Sequence, residues 1–158
     1  MMRAWVLCVA IGLLATTGCT VTPTSPSQPA PFAEHPDLHI RLTRAEQQWA
    51  AAGIRRYDFA VGLYCFCFHL PRPLRFQVRD GVSVSPGLDP TTRANVTHVE
   101  SIDAIFAMIH RYLDRRPARL DAEFHPTLGY PQSMFVDGDR LVADDELGVG
   151  VIEFTIQP

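Results

Sequence analysis

Residues 57–84 read YDFAVGLYCFCFHLPRPLRFQVRDGVSV, and this stretch decides the fold. Tyr57, Phe59, Val61, Leu63, Cys65 and Cys67 fall on one parity, while Asp58, Ala60, Gly62, Tyr64, Phe66 and Phe68 fall on the other. That is the period of a strand. The first set predicts a core-facing side, although by Phe66 both sides are apolar, and His69 with Pro71-Arg72-Pro73 ends the run. Leu74, Phe76 and Val78 then alternate with Arg75, Gln77 and Arg79, and Asp80-Gly81 marks a turn into Val82 and Val84. A two-residue turn would send the two apolar sets to opposite faces. A three-residue loop with Gly81 left-handed pairs Val78 with Val82 and Phe76 with Val84, so parity predicts the longer loop.

Working outward, Thr43-Arg44-Ala45-Glu46 matches a capping box and predicts a helix starting there, with Ala45, Trp49 and Ala52 on one face and Gly53 at its end. Residues 85–99, rich in Pro, Gly, Asp and Asn signals, read as a long loop. A second helix follows. Ser101 caps it, Asp103 favours its positive end, and Ile102, Ile105, Phe106, Ile109, Tyr112 and Leu113 make a continuous apolar stripe before Pro117 stops it. Ala118, Leu120, Ala122 and Phe124 alternate with Arg119, Asp121, Glu123 and His125, a strand with one wet face. Residues 132–137 and 147–156 complete the strands, joined by an acidic loop. In the last of them Val149 and Val151 are odd, whereas Ile152, Phe154 and Ile156 are even, and a bulge near Val151 puts all five on one face.

The order α-β-β-β-α-β-β-β predicts an α+β fold, an antiparallel β-sheet with two helices packed on one face. The other face is then polar or covered by something else.

The N-terminus sets the expected compartment. Arg3 precedes an apolar run over residues 5–15, and Thr16-Thr17-Gly18-Cys19 is a small-residue processing site. The run falls short of the ~20 residues a membrane span needs. The tetrad resembles the lipobox of bacterial lipoproteins, with Thr16 where Leu is usual, and the resemblance implies cleavage before Cys19 and lipidation of that residue. Residues 1–18 are expected to be a lipoprotein signal peptide, 19–37 a disordered Pro/Ser/Thr tether, and 38–158 a single domain. Removing 18 of 158 residues leaves 140, enough for one core. The expected location is the cell envelope, lipid-anchored to the membrane. In a Gram-negative host, Thr20 in place of Asp after the cysteine resembles the pattern that sorts lipoproteins to the outer membrane, facing the periplasm.

All 14 basic residues are Arg, which removes Schiff-base chemistry, a lysine base and a phosphate-loop lysine from consideration. The formal net charge is −3 with no basic stripe, so nucleic acid is not an expected partner. No cofactor motif is present, Ser83, Ser101 and Ser133 lack a nucleophile-elbow context, and the six His show no recognisable triad order. These observations favour a non-catalytic domain.

Several of these landmarks together resemble a family of uncharacterised bacterial lipoproteins and secreted proteins grouped only as a domain of unknown function. The resemblance runs from about Trp49 to Phe154 on Tyr57-Asp58-Phe59, Cys65-Phe66-Cys67, Val78-Arg79-Asp80-Gly81, Phe106, Gly129-Tyr130-Pro131, and Asp137 followed by Asp144-Asp145-Glu146. It implies no known activity, ligand or catalytic residue.

Three constellations can carry chemistry. Cys65 and Cys67 lie about 6.6 Å apart at strand spacing, the upper limit for a disulfide, and an exported protein favours that bond. The same pair with His69 is a soft ligand set for Cu(I) or Zn(II), and a strained disulfide is a redox candidate. Asp137, Asp139, Asp144, Asp145 and Glu146 cluster within ten residues, a calcium-like group without EF-hand spacing or a solvated turn. Tyr64, Phe66 and Phe68, opposite the cysteines, form an aromatic patch suited to an envelope protein partner if that face is open. The leading expectation is a membrane-tethered binding or scaffolding domain; the alternative is an envelope redox or metal-handling protein using Cys65, Cys67 and His69.

Overall fold

In the computed structural model, which describes residues 35–65 and 73–158, the parity of the central strand becomes a packed surface. Tyr57, Phe59 and Val61 of β1 (Arg56–Tyr64) stand directly opposite Val78, Phe76 and Leu74 of β2 (Leu74–Arg79), and all six side chains are buried. On its other edge β1 pairs with β6 (Leu147–Ile156), so the first and last strands meet at the centre of the sheet. With β3 (Val82–Val84), β4 (Arg119–Phe124) and β5 (Pro131–Asp137) the order is β3-β2-β1-β6-β5-β4, every pairing antiparallel. Two three-stranded meanders are thereby joined edge to edge.

The buried face carries α1 (Pro36–Ala52) and α3 (Ile102–Arg115). Leu38, Leu42, Ala45 and Trp49 of the first, and Ile102, Ile105, Phe106, Met108, Ile109 and Leu113 of the second, join one core with the inward residues of all strands but β3. Polar bonds fix the helices within it. The Trp49 indole donates to Asp103 at 3.1 Å, Glu46 and His110 meet at 2.7 Å, and the Tyr57 hydroxyl accepts the Ile102 N–H at 3.0 Å. The last bond satisfies a helix-start donor that has no partner inside the helix. Ser101 caps α3 as its sequence predicts, accepting from the Ala104 N–H at 3.0 Å.

The α+β class and the six antiparallel strands agree with the sequence pattern, but the element order needs three corrections. Helix α1 begins at Pro36, not at Thr43; Pro36 opens it, and the Thr43 hydroxyl donates back to the His39 carbonyl at 3.0 Å from mid-helix. Leu38 and Leu42, at 3% and 1% exposure, extend the apolar face two turns upstream, and that burial outweighs two local capping bonds.

Residues 85–99 are not one loop. Asp89 accepts from the Thr91 and Thr92 amides and caps a short α2 (Pro90–Asn95), followed by a 3₁₀ turn (Thr97–Val99). The described residues therefore hold three α-helices, in the order α-β-β-β-α-α-β-β-β. Six residues are too few to show a helical period, and Val96 and Val99, both fully buried, hold the segment to the core.

The third correction concerns the β2–β3 hairpin, which turns in two residues and pairs Arg79 with Val82. Asp80 and Gly81 both take positive φ, 53° and 84°, the backbone of a hairpin turn whose twist matches the strands. The consequence is the one parity argued against: Val82 and Val84 are exposed at 64% and 40%, and Ser83 lies between them. The local turn wins because β3 is only three residues long. Ser83 donates to the Glu100 carbonyl and Arg93 donates to the Ser83 carbonyl, each at 2.6 Å, so this sheet edge is tied off from unwanted pairing.

The bulge in β6 lies where the sequence predicts it. Ala60 faces Glu153 while Val61 faces Val151, leaving Ile152 as the extra residue. It brings Val149, Val151 and Phe154 into contact with the core, but Ile152 and Ile156 remain about half exposed.

Candidate binding surface on the open sheet face

Strand alternation fixes what the opposite face presents. Along β1 the residues facing away from the core are Asp58, Ala60, Gly62 and Tyr64. Arg75, Gln77 and Arg79 accompany them on β2, with Gly148, Gly150, Glu153 and Thr155 on β6. No helix among the described residues covers this side.

Polar chemistry gathers at one end. Arg75 and Glu153, on strands that flank β1, form a two-pronged ion pair with Nη2 to Oε1 at 2.8 Å, and Arg75 holds the Glu153 carboxyl below its ordinary range. Next to it Asp58 receives Arg79 at 2.7 Å and the Gln157 amide at 3.0 Å. Asp58, Arg75, Gln77, Pro86, Glu153 and Thr155 line a shallow pocket of about 280 Å³.

The other end is aromatic. Tyr64 lies across a floor of glycines: a Cβ built on Gly148, Gly62 or Gly150 would come within 3.1, 3.4 or 3.8 Å of Tyr64 atoms. At Gly148 a Cβ would crowd the ring, whereas at Gly62 and Gly150 it would stand at ordinary contact distance. Tyr64 is nevertheless 64% exposed. In the same row beyond Gly148 comes Phe135, half-buried, with the Arg119 guanidinium 5.1 Å from its ring centre. Ser133, paired with Gly150, is exposed beside it. Such a surface can stack, donate and accept.

Of the residues singled out in the sequence, Tyr64 is on this face and Cys65, at the end of β1, packs partly buried against the core. Cys19, Phe66, Cys67, Phe68 and His69 lie outside the described residues. Two carboxylates of the acidic loop act locally: Asp145 accepts the Asp139 N–H at 2.8 Å, and Asp139 accepts the Leu141 N–H at 3.0 Å. Among the described residues no group of three or more His, Cys, Asp or Glu is arranged to hold a metal. Ser83 and Ser101 engage backbone groups.

Sequence reasoning missed the Arg75–Glu153 and Asp58–Arg79 pairs, because only the pairing of β1 with β6 brings the first together. The glycine floor had a faint signal in the alternation of Gly148-Val149-Gly150.

The Gly-Tyr-Pro motif also acquires a physical reason. Gly129, at φ 78°, approaches α1 so closely that a Cβ would fall 2.1 Å from the Ala45 carbonyl oxygen. Tyr130 then stacks on Phe154 with ring centres 4.5 Å apart, and Pro131 opens β5.

Fold and surface together define a six-stranded antiparallel α+β domain with helices on one face and an open, mixed polar and aromatic face on the other. The chain belongs to a family of unknown function, DUF6174, matched over residues 41–156, a span that runs from within α1 to the last residue of β6. No curated protein and no solved structure matches it.

Proposed function

We propose that this protein is a lipid-anchored component of the bacterial cell envelope whose domain binds a partner, without catalysis, through the open face of the sheet. Cys19, acylated after removal of residues 1–18, provides the membrane anchor; two or more chains hold where one does not. In a Gram-negative host the expected site is the outer membrane, facing the periplasm. The observation that carries the binding half is Tyr64, a large aromatic side chain 64% exposed on a face whose Arg75–Glu153 and Arg79–Asp58 charges are paired at the other end. Exposed, pre-positioned aromatic rings are the groups that partners bury.

Crosslinking the full-length protein in envelope membranes tests this, with Tyr64→Ala in parallel. A species retained by the wild type and lost by the variant is the expected result. Equal retention by both removes the surface from consideration, and mass spectrometry showing an unmodified Cys19 removes the anchor.

A second reading is an envelope redox or metal-handling protein using Cys65, Cys67 and His69, with Cys65, partly buried at the end of β1, held in a disulfide. We take Cys67 as its partner, which favours a structural or redox bond over metal ligation. Thiol counting before and after mild reduction tests the bond; two reactive thiols without reductant eliminate it.

A further inference from the structure

The loop joining β4 to β5 is closed by one histidine from both its backbone and its ring. The His125 N–H donates to the Tyr130 carbonyl at 2.8 Å, and its carbonyl accepts the Gly129 N–H at 2.8 Å. Its Nδ1 receives the backbone N–H of Leu128 at 3.0 Å and that of Thr127 at 3.3 Å. A ring nitrogen that accepts must carry its lone pair, so the imidazole is neutral with its proton on Nε2. Protonation at Nδ1 would aim a donor at two donors.

Charged groups of both signs line the adjoining groove. From α1, Arg41 and Arg44 line the same groove as His125, and from β4 Glu123 faces it while already 3.8 Å from Arg41. From the loop itself the Tyr130 ring stacks on the imidazole at 4.8 Å, and Gln48 of α1 donates to the Pro126 carbonyl at 3.3 Å. Arg41 is also paired with Asp37 at 3.1 Å, so two guanidiniums and two carboxylates balance there, and the Nδ1 bonds carry the conflict. The closed loop in turn holds Gly129 against Ala45 and Tyr130 against Phe154.

We propose that His125 is an acid-sensitive latch, which keeps the β4–β5 loop docked on α1 while the ring is neutral and releases it when Nδ1 takes a proton. Release would widen the groove lined by Arg41, Arg44, Gln48 and Glu123 beside the Tyr130–Phe154 stack. Histidine is the side chain whose charge changes within the range an envelope experiences. The inference does not depend on the proposed binding face, which lies on the other side of the sheet.

His125→Asn separates the latch from an ordinary turn cap, because the Asn Oδ1 can accept the same two amides and does not titrate. Hydrogen exchange at Thr127 and Leu128, divided by the intrinsic rate, is measured at about pH 7.5 and about pH 5.5. Wild-type protection is expected to fall roughly threefold to tenfold on acidification, the equivalent of one hydrogen bond, and to stay level in His125→Asn. Equal change in the two proteins overturns the proposal. Should the variant not fold, ring ¹⁵N shifts of wild-type His125 decide. Proton uptake at Nδ1 alongside lost Leu128 protection supports the latch, and uptake with protection unchanged overturns it.

Discussion

The guanidinium of Arg75 and the carboxylate of Glu153 meet across β1, and the methyl group of Ala60, which sits between them in the sheet, is wholly buried. An ion pair thus serves as the cover for an alanine on an otherwise open face. It also staples the two meanders from the solvent side.

Both side chains are more than half exposed, so the pair stabilises weakly and is sensitive to salt. Replacing either residue with Ala is expected to lower the melting temperature slightly in dilute buffer, with the two losses strongly non-additive. In about 1 M salt the coupling should vanish. Because Arg75 lowers the Glu153 pKa below 4.5, its contribution is complete above about pH 4.5 and is lost as pH falls through the depressed value. A double-mutant cycle measured by thermal unfolding checks both statements; additive losses would mean that the two groups do not interact.

Tyr57→Phe keeps the ring and removes one oxygen. The Ile102 N–H then lacks its acceptor at a fully buried site, which should cost about 1–3 kcal/mol in denaturant unfolding with an unchanged slope. Burial pushes the Tyr57 hydroxyl far above the ordinary tyrosine value, so the residue stays protonated through the physiological range. The loss should accordingly be the same at neutral and mildly alkaline pH.

Gly129→Ala is expected to be more damaging than its single methyl group suggests. The new Cβ would meet the Ala45 carbonyl at 2.1 Å in a backbone conformation that already disfavours side chains, for a loss of roughly 2 kcal/mol or more. Gly53→Ala offers the control: it too has positive φ, at 61°, but open space around its Cβ. Chemical denaturation of the two variants should rank them in that order.

His98, in the 3₁₀ turn, has its pKa lowered by burial and then by the Arg111 charge. The folded state favours the neutral ring, whereas the unfolded chain takes up a proton near pH 6.5, so stability falls as pH drops below that value. His98→Gln should narrow the difference in melting temperature between about pH 7.5 and about pH 5.5. An unchanged difference would show that His98 is not responsible.

Legibility followed the range of the interaction. Helix α3 announced itself through Ser101 and an unbroken apolar stripe, and β6 through alternation interrupted once at a bulge; both patterns are contained in consecutive residues. Helix α2 is too short to carry a period, and the start of α1 depended on burial of Leu38 and Leu42 against distant strands. At the hairpin, parity favours burial of Val82 and Val84, but the turn chemistry of Asp80-Gly81 prevails because a three-residue edge strand has little area to bury.

Tyr64 was legible as a residue facing away from the core, since parity along one strand is local information. That β1 lies between β2 and β6 was not, and this arrangement alone brings Arg75 to Glu153 across 78 residues and sets Gly148 and Gly150 against the Tyr64 ring. Alternation, caps and composition by themselves determined the α+β class, the strands of the sheet and the buried side of every strand but β3. Tertiary structure decided which strands are neighbours, and with it the open face, because pairing is chosen by the joint burial of both halves and no segment encodes it alone.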